Sequence, residues 1–155
     1  MVIPIKIISN IKCKENIQKI ERPLFSSKVN AGFPSPAEDY IEKNIDLNDL
    51  LITNPPATYF IRVEGDSMTG SGIYSGDVLV VDKSKKPKND DIVVAVINSE
   101  FTVKKLKLSN NQVTLEASNP KYSPIKITEY SDFQVWGVVQ YAIHKMGNRG
   151  ATQND

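Results

Sequence analysis

Histidine, cysteine and tryptophan each occur only once in this chain of 155 residues, and their scarcity excludes several kinds of active site. A multi-cysteine zinc site is impossible, and Cys13 together with His144 does not predict a metal site. A single cysteine also excludes an intramolecular disulfide, which is typical of proteins in a reducing compartment such as the cytoplasm. A Ser-His-Asp triad would need His144, which lies near the end of the last predicted strand, and this arrangement is disfavoured. Cys13 is a poor nucleophile, because nothing in its segment would lower the pKa of its thiol.

Charge of one sign and long apolar runs are also lacking. Nineteen basic and eighteen acidic residues give a formal net charge of +1, so direct sequence-specific DNA binding is not expected. No run approaches the roughly 20 apolar residues of a membrane span, and the first residues lack the pattern of a signal peptide. With 40% hydrophobic residues the chain can bury one ordinary core, which predicts one domain. The single cysteine and the lack of a membrane span or signal peptide predict a cytoplasmic protein that does not bind membranes.

The first half of the chain shows few regular elements. Residues 1–31 have no sustained helix or strand period and are interpreted as a flexible arm. The stretch "SPAEDYIEKNI" predicts a helix, with Ser35 as cap, Pro36 at the first helical position and Glu38 completing a capping box. A second helical turn is predicted at "DLNDLLI", capped by Asp46, before "NPPA" ends the helical region.

From Thr58 onward the pattern changes to strands separated by Gly, Asn, Ser and Pro. "INSEF" predicts a hairpin turn around Asn98 and Ser99, and residues 147–155 predict a disordered tail. The fold class expected is mostly β, a compact domain preceded by the arm and one or two short helices. The predicted strands are "TYFIRV", "DVLVVD", "DIVVAVIN", "EFTVKKLKL", "QVTLEA", "PIKIT" and "FQVWGVVQYAI".

The stretch "GDSMTGS" raises the question of what Ser67 does. It is not a phosphate-binding loop, since Ser71 stands where that motif needs lysine. A neutral lysine is the remaining candidate base for a serine nucleophile. In "EFTVKKLKL" Lys104 shares a strand face with Leu106 and Leu108, which favours Lys104 over Lys105, although Phe101 and Val103 lie on the opposite face. Desolvation would have to lower the lysine pKa toward neutrality, and the other interpretation of this segment is a solvated strand face.

The chain resembles the UmuD family, the mutagenesis relatives of LexA-type self-cleaving repressors. The resemblance covers about residues 25–145 and rests on "AGFPSPAEDYIE", "IDLNDLLI", "ATYFIRVEGDSM", "SGDVLVVD", "DIVVAV", "EFTVKKLKL", "YSPI" and "VWGVV", in family order. It implies that Ser67 is the nucleophile and Lys104 its general base. It also implies that the backbone N–H groups of Asp66 and Ser67 form the oxyanion hole, and that Ala31-Gly32 is the bond cut.

The resemblance further implies a self-cleaving homodimer without a cofactor. A RecA filament on single-stranded DNA would stimulate removal of residues 1–31, leaving a β-domain of residues 32–146 and the tail. The product would be an accessory subunit of a UmuC-type, error-prone polymerase. A repressor is disfavoured, because the aperiodic arm cannot supply a helix-turn-helix. Three alternatives stay open: a non-cleaving interaction module of the same fold, a signal-peptidase-like processing enzyme, and a phage-type repressor or antirepressor fragment.

Overall fold

The computed structural model describes residues 18–25, 32 and 41–147. These residues fall into two units, one ending at Thr53 and the other beginning at Asn54. In the first unit β1 (Glu21–Phe25) pairs antiparallel with β2 (Ile41–Asp46), and α1 (Leu47–Leu51) follows directly. Within the described ranges, no helix has the length and hydrophobicity to cross a membrane.

Helix α1 confirms the second predicted helical turn and its cap. The Asp46 carboxylate accepts a hydrogen bond of 2.7 Å from the backbone N–H of Asn48, as an N-cap side chain does. Its other oxygen accepts the N–H of Ile20 at 2.9 Å. These backbone hydrogen bonds lower the pKa of Asp46, since they favour the ionised carboxylate.

Two expectations for the first half of the chain are wrong. Residues 41–45 form a strand instead of the end of a helix, and residues 21–25 form a strand within the segment interpreted as an arm. The cause is pairing across about twenty residues of sequence, in which Arg22 lies opposite Ile45, and a local pattern does not reveal such a partner. The predicted cap residues Ser35, Pro36 and Glu38 lie outside the described residues.

The second unit contains one antiparallel sheet of seven strands, in the order β3-β4-β9-β5-β6-β7-β8. Each of the seven predicted strands is confirmed, as is the mostly β fold class. The strands are β3 (Thr58–Arg62), β4 (Val78–Asp82), β5 (Ile92–Ile97), β6 (Glu100–Ser109), β7 (Gln112–Glu116), β8 (Ile125–Lys126) and β9 (Phe133–Ile143).

The core lies on both faces of this sheet. Strand β5 is buried on both sides, because Val94 belongs to one apolar cluster whereas Val93 and Ala95 belong to the other. Alternation along β6 places Lys104 opposite Val93, on the same face as the buried Leu106. The sheet therefore directs one lysine of "KKLK" toward the apolar interior.

The turn between β5 and β6 sets the register that brings Lys104 to this position. Asn98 and Ser99 have φ angles of 49° and 69°, the left-handed pair of a type I′ hairpin, and Ile97 lies opposite Glu100. The predicted hairpin is confirmed. A slip of one residue would turn every β6 side chain to the other face, so this turn decides which lysine is buried.

Gly137 provides a test of the packing between β9 and β4. It lies next to a register shift between β5 and β9, where an added Cβ would meet Val81 Cγ1 at 2.6 Å and the carbonyl oxygen of Asp82 at 3.4 Å. Because Val81 is buried and has no room to move, we expect Gly137→Ala to lower the free energy of unfolding by about 1 to 3 kcal/mol in urea titrations. Gly147→Ala is the matched control, since nothing lies within 4 Å of its Cβ position. An equal effect of the two substitutions would contradict the packing argument.

Candidate active site

Ser67 lies in the loop that joins β3 to β4, and its neighbour Met68 anchors this loop in the core. The Met68 side chain is 2% exposed and belongs to the apolar cluster of Leu79 and Val81. A 3-10 turn at Thr69–Ser71 follows, closed by Gly72 with a φ of 75°. Ser67 itself is half-buried, so the chain holds a hydroxyl at the surface of the core on a short, tightly turned segment.

The structure brings Ser67 and Lys104 together, although 37 residues separate them in sequence. Lys104 Nζ lies 3.1 Å from Ser67 Oγ, and its other partners are Thr102 Oγ1 at 2.8 Å and the Val103 carbonyl oxygen at 3.0 Å. All three partners are uncharged oxygens. Lys104 is 8% exposed, which confirms that the apolar face of β6 carries this lysine.

Burial lowers the pKa of Lys104, because the charged ammonium loses its hydration. Lys107, on the other face of the same strand, shows the opposite behaviour. It contacts the Asp90 carboxylate, and this hydrogen bond raises the pKa of Lys107. Among the described residues no acidic side chain forms an ion pair with Lys104, so no opposite charge offsets the loss of hydration there.

A second loop, residues 118–122, holds the Ser67 loop in place. Asn119 Nδ2 donates to the Asp66 carbonyl oxygen at 3.0 Å, and the Tyr122 hydroxyl donates to the Asp66 carboxylate. The N–H of Gly70 donates to the Ser118 carbonyl oxygen at 2.7 Å. An added Cβ on Gly70 would lie 2.4 Å from that same oxygen, so only glycine fits this contact.

The backbone N–H groups of Asp66 and Ser67 are the predicted oxyanion hole. In the part of the chain that the structure describes, neither N–H donates a hydrogen bond to the protein. Ala31 lies outside the described residues and Gly32 lies in the first unit, so the scissile bond stays a prediction.

Sequence reasoning missed the residues that support the pair. Thr102 could have been found, because strand alternation places residues two apart on one face. Asn119 and Tyr122 lie in "NPKYSP", a stretch typical of a turn, and although Tyr122 begins the family motif "YSPI", neither residue was assigned a role. Their importance follows from contacts more than 50 residues away in sequence.

The other candidates do not join this site. His144 Nδ1 lies 3.8 Å from the Asp77 carboxylate, and its ring meets the edge of Tyr74. Cys13 lies outside the described residues. Across the described ranges, no group of three His, Cys, Asp or Glu side chains is placed to hold a metal ion.

Comparison with known proteins identifies the family of this chain. Residues 23–140 match the Peptidase S24-like family. Protein SamA of Salmonella typhimurium is 48% identical over 123 residues, which cover 79% of this chain and 85% of SamA. Protein ImpA of Escherichia coli is 46% identical over 125 residues, covering 80% of this chain and 84% of ImpA. Protein MucA of Escherichia coli is 39% identical over 122 residues, covering 78% of this chain and 83% of MucA. The chain therefore belongs to the Peptidase S24-like family and, within it, to the UmuD family that its motifs resemble.

Proposed function

We propose that this protein is a self-cleaving serine peptidase of the DNA-damage response, in which Ser67 and Lys104 cut the Ala31-Gly32 bond. The observation that carries the proposal is the buried Lys104 Nζ at 3.1 Å from Ser67 Oγ. A serine hydroxyl is a weak nucleophile at its ordinary pKa and needs an adjacent base. Among the described residues, Lys104 is the basic group within hydrogen-bonding distance of Ser67.

The partners of Lys104 can be served by either protonation state of the amine. A neutral amine has two N–H groups and one lone pair, whereas an ammonium group has three N–H groups and no lone pair. The Val103 carbonyl oxygen can only accept, and Thr102 Oγ1 is placed to accept as well. In the protonated state the three N–H groups can serve all three oxygens. In the neutral state two N–H groups serve Thr102 and Val103, and the lone pair is left to accept the Ser67 proton.

The chemical steps then balance with these two side chains and one water. Lys104 takes the Ser67 proton as Oγ bonds to the carbonyl carbon of Ala31, and the free N–H groups of Asp66 and Ser67 stabilise the oxyanion. The C–N bond breaks, and Lys104 returns the proton to the amine of Gly32. Lys104 then takes a proton from water as the water oxygen bonds to the acyl carbon, and it passes this proton to Ser67 Oγ as the acyl-oxygen bond breaks. Ala31 is left as a new carboxyl terminus, and the Ser67 hydroxyl and the neutral amine are restored.

The family membership also supports the regulation and partners that we propose. A RecA filament on single-stranded DNA stimulates the cut in the cytoplasm by favouring the state in which the arm occupies the site. The shortened homodimer then serves as accessory subunit of a UmuC-type, error-prone DNA polymerase. Tethering the arm to its own domain gives a high effective concentration, so a slow catalyst suffices for a single cut.

The test is intact-mass analysis of the purified full chain at mildly alkaline pH, with and without a RecA filament. We expect fragments of residues 1–31 and 32–155, formed faster when the filament is present. A chain that stays intact under both conditions would contradict the proposal and favour a non-cleaving interaction module. Cutting of added signal-peptide substrates, with the chain itself intact, would favour a signal-peptidase-like enzyme.

A further inference from the structure

The peptide group between Asp66 and Ser67 is held from outside its own loop. Its carbonyl oxygen belongs to Asp66 and its N–H belongs to Ser67. The peptide bond is planar and trans, so the two groups point in opposite directions, and whatever fixes the carbonyl also fixes the N–H. The donor that reaches this carbonyl from elsewhere in the chain is Asn119 Nδ2, at 3.0 Å.

The orientation of Asn119 is itself determined by the 118–122 loop. Its Oδ1 accepts the backbone N–H of Lys121 at 3.0 Å, so the side-chain amide has an acceptor oxygen on one side and a donor nitrogen on the other. If the amide were reversed, its nitrogen would face the Lys121 N–H, so that two donors meet. Its oxygen would face the Asp66 carbonyl oxygen, so that two acceptors meet. Asn119 is therefore set to donate to the peptide group that precedes Ser67.

Donors within the Ser67 loop also reach this carbonyl. Thr69 contributes its hydroxyl at 3.1 Å and its backbone N–H at a longer 3.4 Å. These contacts move with the loop, because Thr69 is only three residues from Asp66. Asn119 instead lies in the segment that follows β7. Its hydrogen bond therefore fixes the Asp66–Ser67 peptide group relative to the sheet.

We propose that Asn119 is a positioning residue, which directs the Ser67 N–H toward the oxyanion formed in self-cleavage. The inference rests on the proposed function of Ser67. Donation to a carbonyl also polarises the N–H of the same peptide group and strengthens the hydrogen bond that this N–H makes. Tyr122 belongs to the same loop but contacts the Asp66 carboxylate, so its effect on the peptide group is indirect.

The experiment measures the first-order rate of self-cleavage of the full chain across a range of pH. For Asn119→Ala we expect the rate at high pH to fall by about tenfold or more, since loss of one oxyanion donor costs about 100-fold to 1,000-fold. The pH at half-maximal rate should not move, because Asn119 does not contact Lys104. Asn119→Asp should be slow as well, since it keeps the acceptor for Lys121 and loses the donor.

A second readout separates the oxyanion from docking of the arm. The rate at which a fluorophosphonate modifies Ser67 should fall by a similar factor in Asn119→Ala, because the phosphonyl oxygen needs the same donor. Ser123→Ala, a neutral change at an exposed position beside the loop, is the matched control and should match the wild type. Tyr122→Phe should lose less activity than Asn119→Ala.

Several results would overturn the inference. The first is an unchanged cleavage rate in Asn119→Ala. The second is an Asn119→Ala variant whose pH at half-maximal rate shifts while its limiting rate does not fall. The third is a loss of rate in Tyr122→Phe as large as that in Asn119→Ala. The last result would mean that the whole loop matters and not the contact with the Asp66 carbonyl. A wild-type chain that neither cleaves itself nor reacts with the fluorophosphonate would instead refute the proposed function, and the inference with it.

Discussion

Ser67→Ala and Lys104→Ala are each expected to abolish self-cleavage, with intact mass showing only the full chain after incubation with the RecA filament. Removal of one member of a coupled nucleophile and base costs about 10,000-fold to 1,000,000-fold in rate. Ser67→Ala removes the Oγ that attacks the peptide bond, and Lys104→Ala removes the base that lies 3.1 Å from it. Since the two groups act as a unit, the double variant should be no slower than either single variant.

Lys105→Ala is the matched control for this prediction. Lys105 is adjacent in sequence and has the same charge, but it lies on the other face of β6, opposite Ile92 and Glu116. We expect its cleavage rate to stay within about twofold of the wild type. An equal loss from the Lys104 and Lys105 variants would mean that charge in this strand matters, and not the contact with Ser67.

The rate of self-cleavage should depend steeply on pH, with about a tenfold increase per pH unit up to the pKa of Lys104 and a plateau above it. Only the neutral amine can accept the Ser67 proton, and burial lowers the Lys104 pKa from its ordinary value of 10.5. The plateau should therefore begin below pH 10.5. A rate that is flat with pH, or that falls as the pH rises, would contradict a lysine base.

Stability provides a readout of the same pKa that does not depend on cleavage, and it can be measured in the Ser67→Ala background. The Lys104 pKa is lower in the folded chain than in the unfolded chain, so stability from this group is present above the unfolded pKa and is lost as the pH falls through the folded pKa. Lys104→Met removes the ionisable amine, and with it the loss of stability that protonation of this group causes at lower pH. We expect this substitution to raise the free energy of unfolding at neutral pH, and the gain to shrink as the pH approaches 10.5. A gain that does not vary with pH would show that the pKa is not lowered.

The strands in the second unit could be predicted from the sequence, through their strand-forming residues and the turn residues between them. The seven strands from Thr58 onward and the hairpin at Asn98 and Ser99 follow from local patterns, and the structure has them where they were predicted. Strand alternation favoured Lys104 over Lys105 as the lysine on the apolar face, and the structure has Lys104 buried. Asp46 was predicted as a cap because its signal lies within one helical turn.

Strands β1 and β2 show where local patterns fail. The segment before Asp46 resembled a capped helix, but Ile41–Asp46 pairs with Glu21–Phe25. Pro23 in β1 argues against a strand when read locally, and it is tolerated here in a sheet of only two strands. The contact that decides the structure lies about twenty residues away, and helix propensity is too weak to oppose it.

The sequence by itself disfavoured histidine and cysteine at the site, because the chain has one of each, and its resemblance to the UmuD family implied Ser67 and Lys104. It also favoured Lys104 over Lys105 as the buried lysine, since side chains in a strand alternate with a period of two. Only the tertiary structure decided the distance from Lys104 to Ser67 and the contact of Asn119 with the Asp66 carbonyl. Both depend on packing between segments 37 and 53 residues apart, and no local periodicity encodes that separation in space.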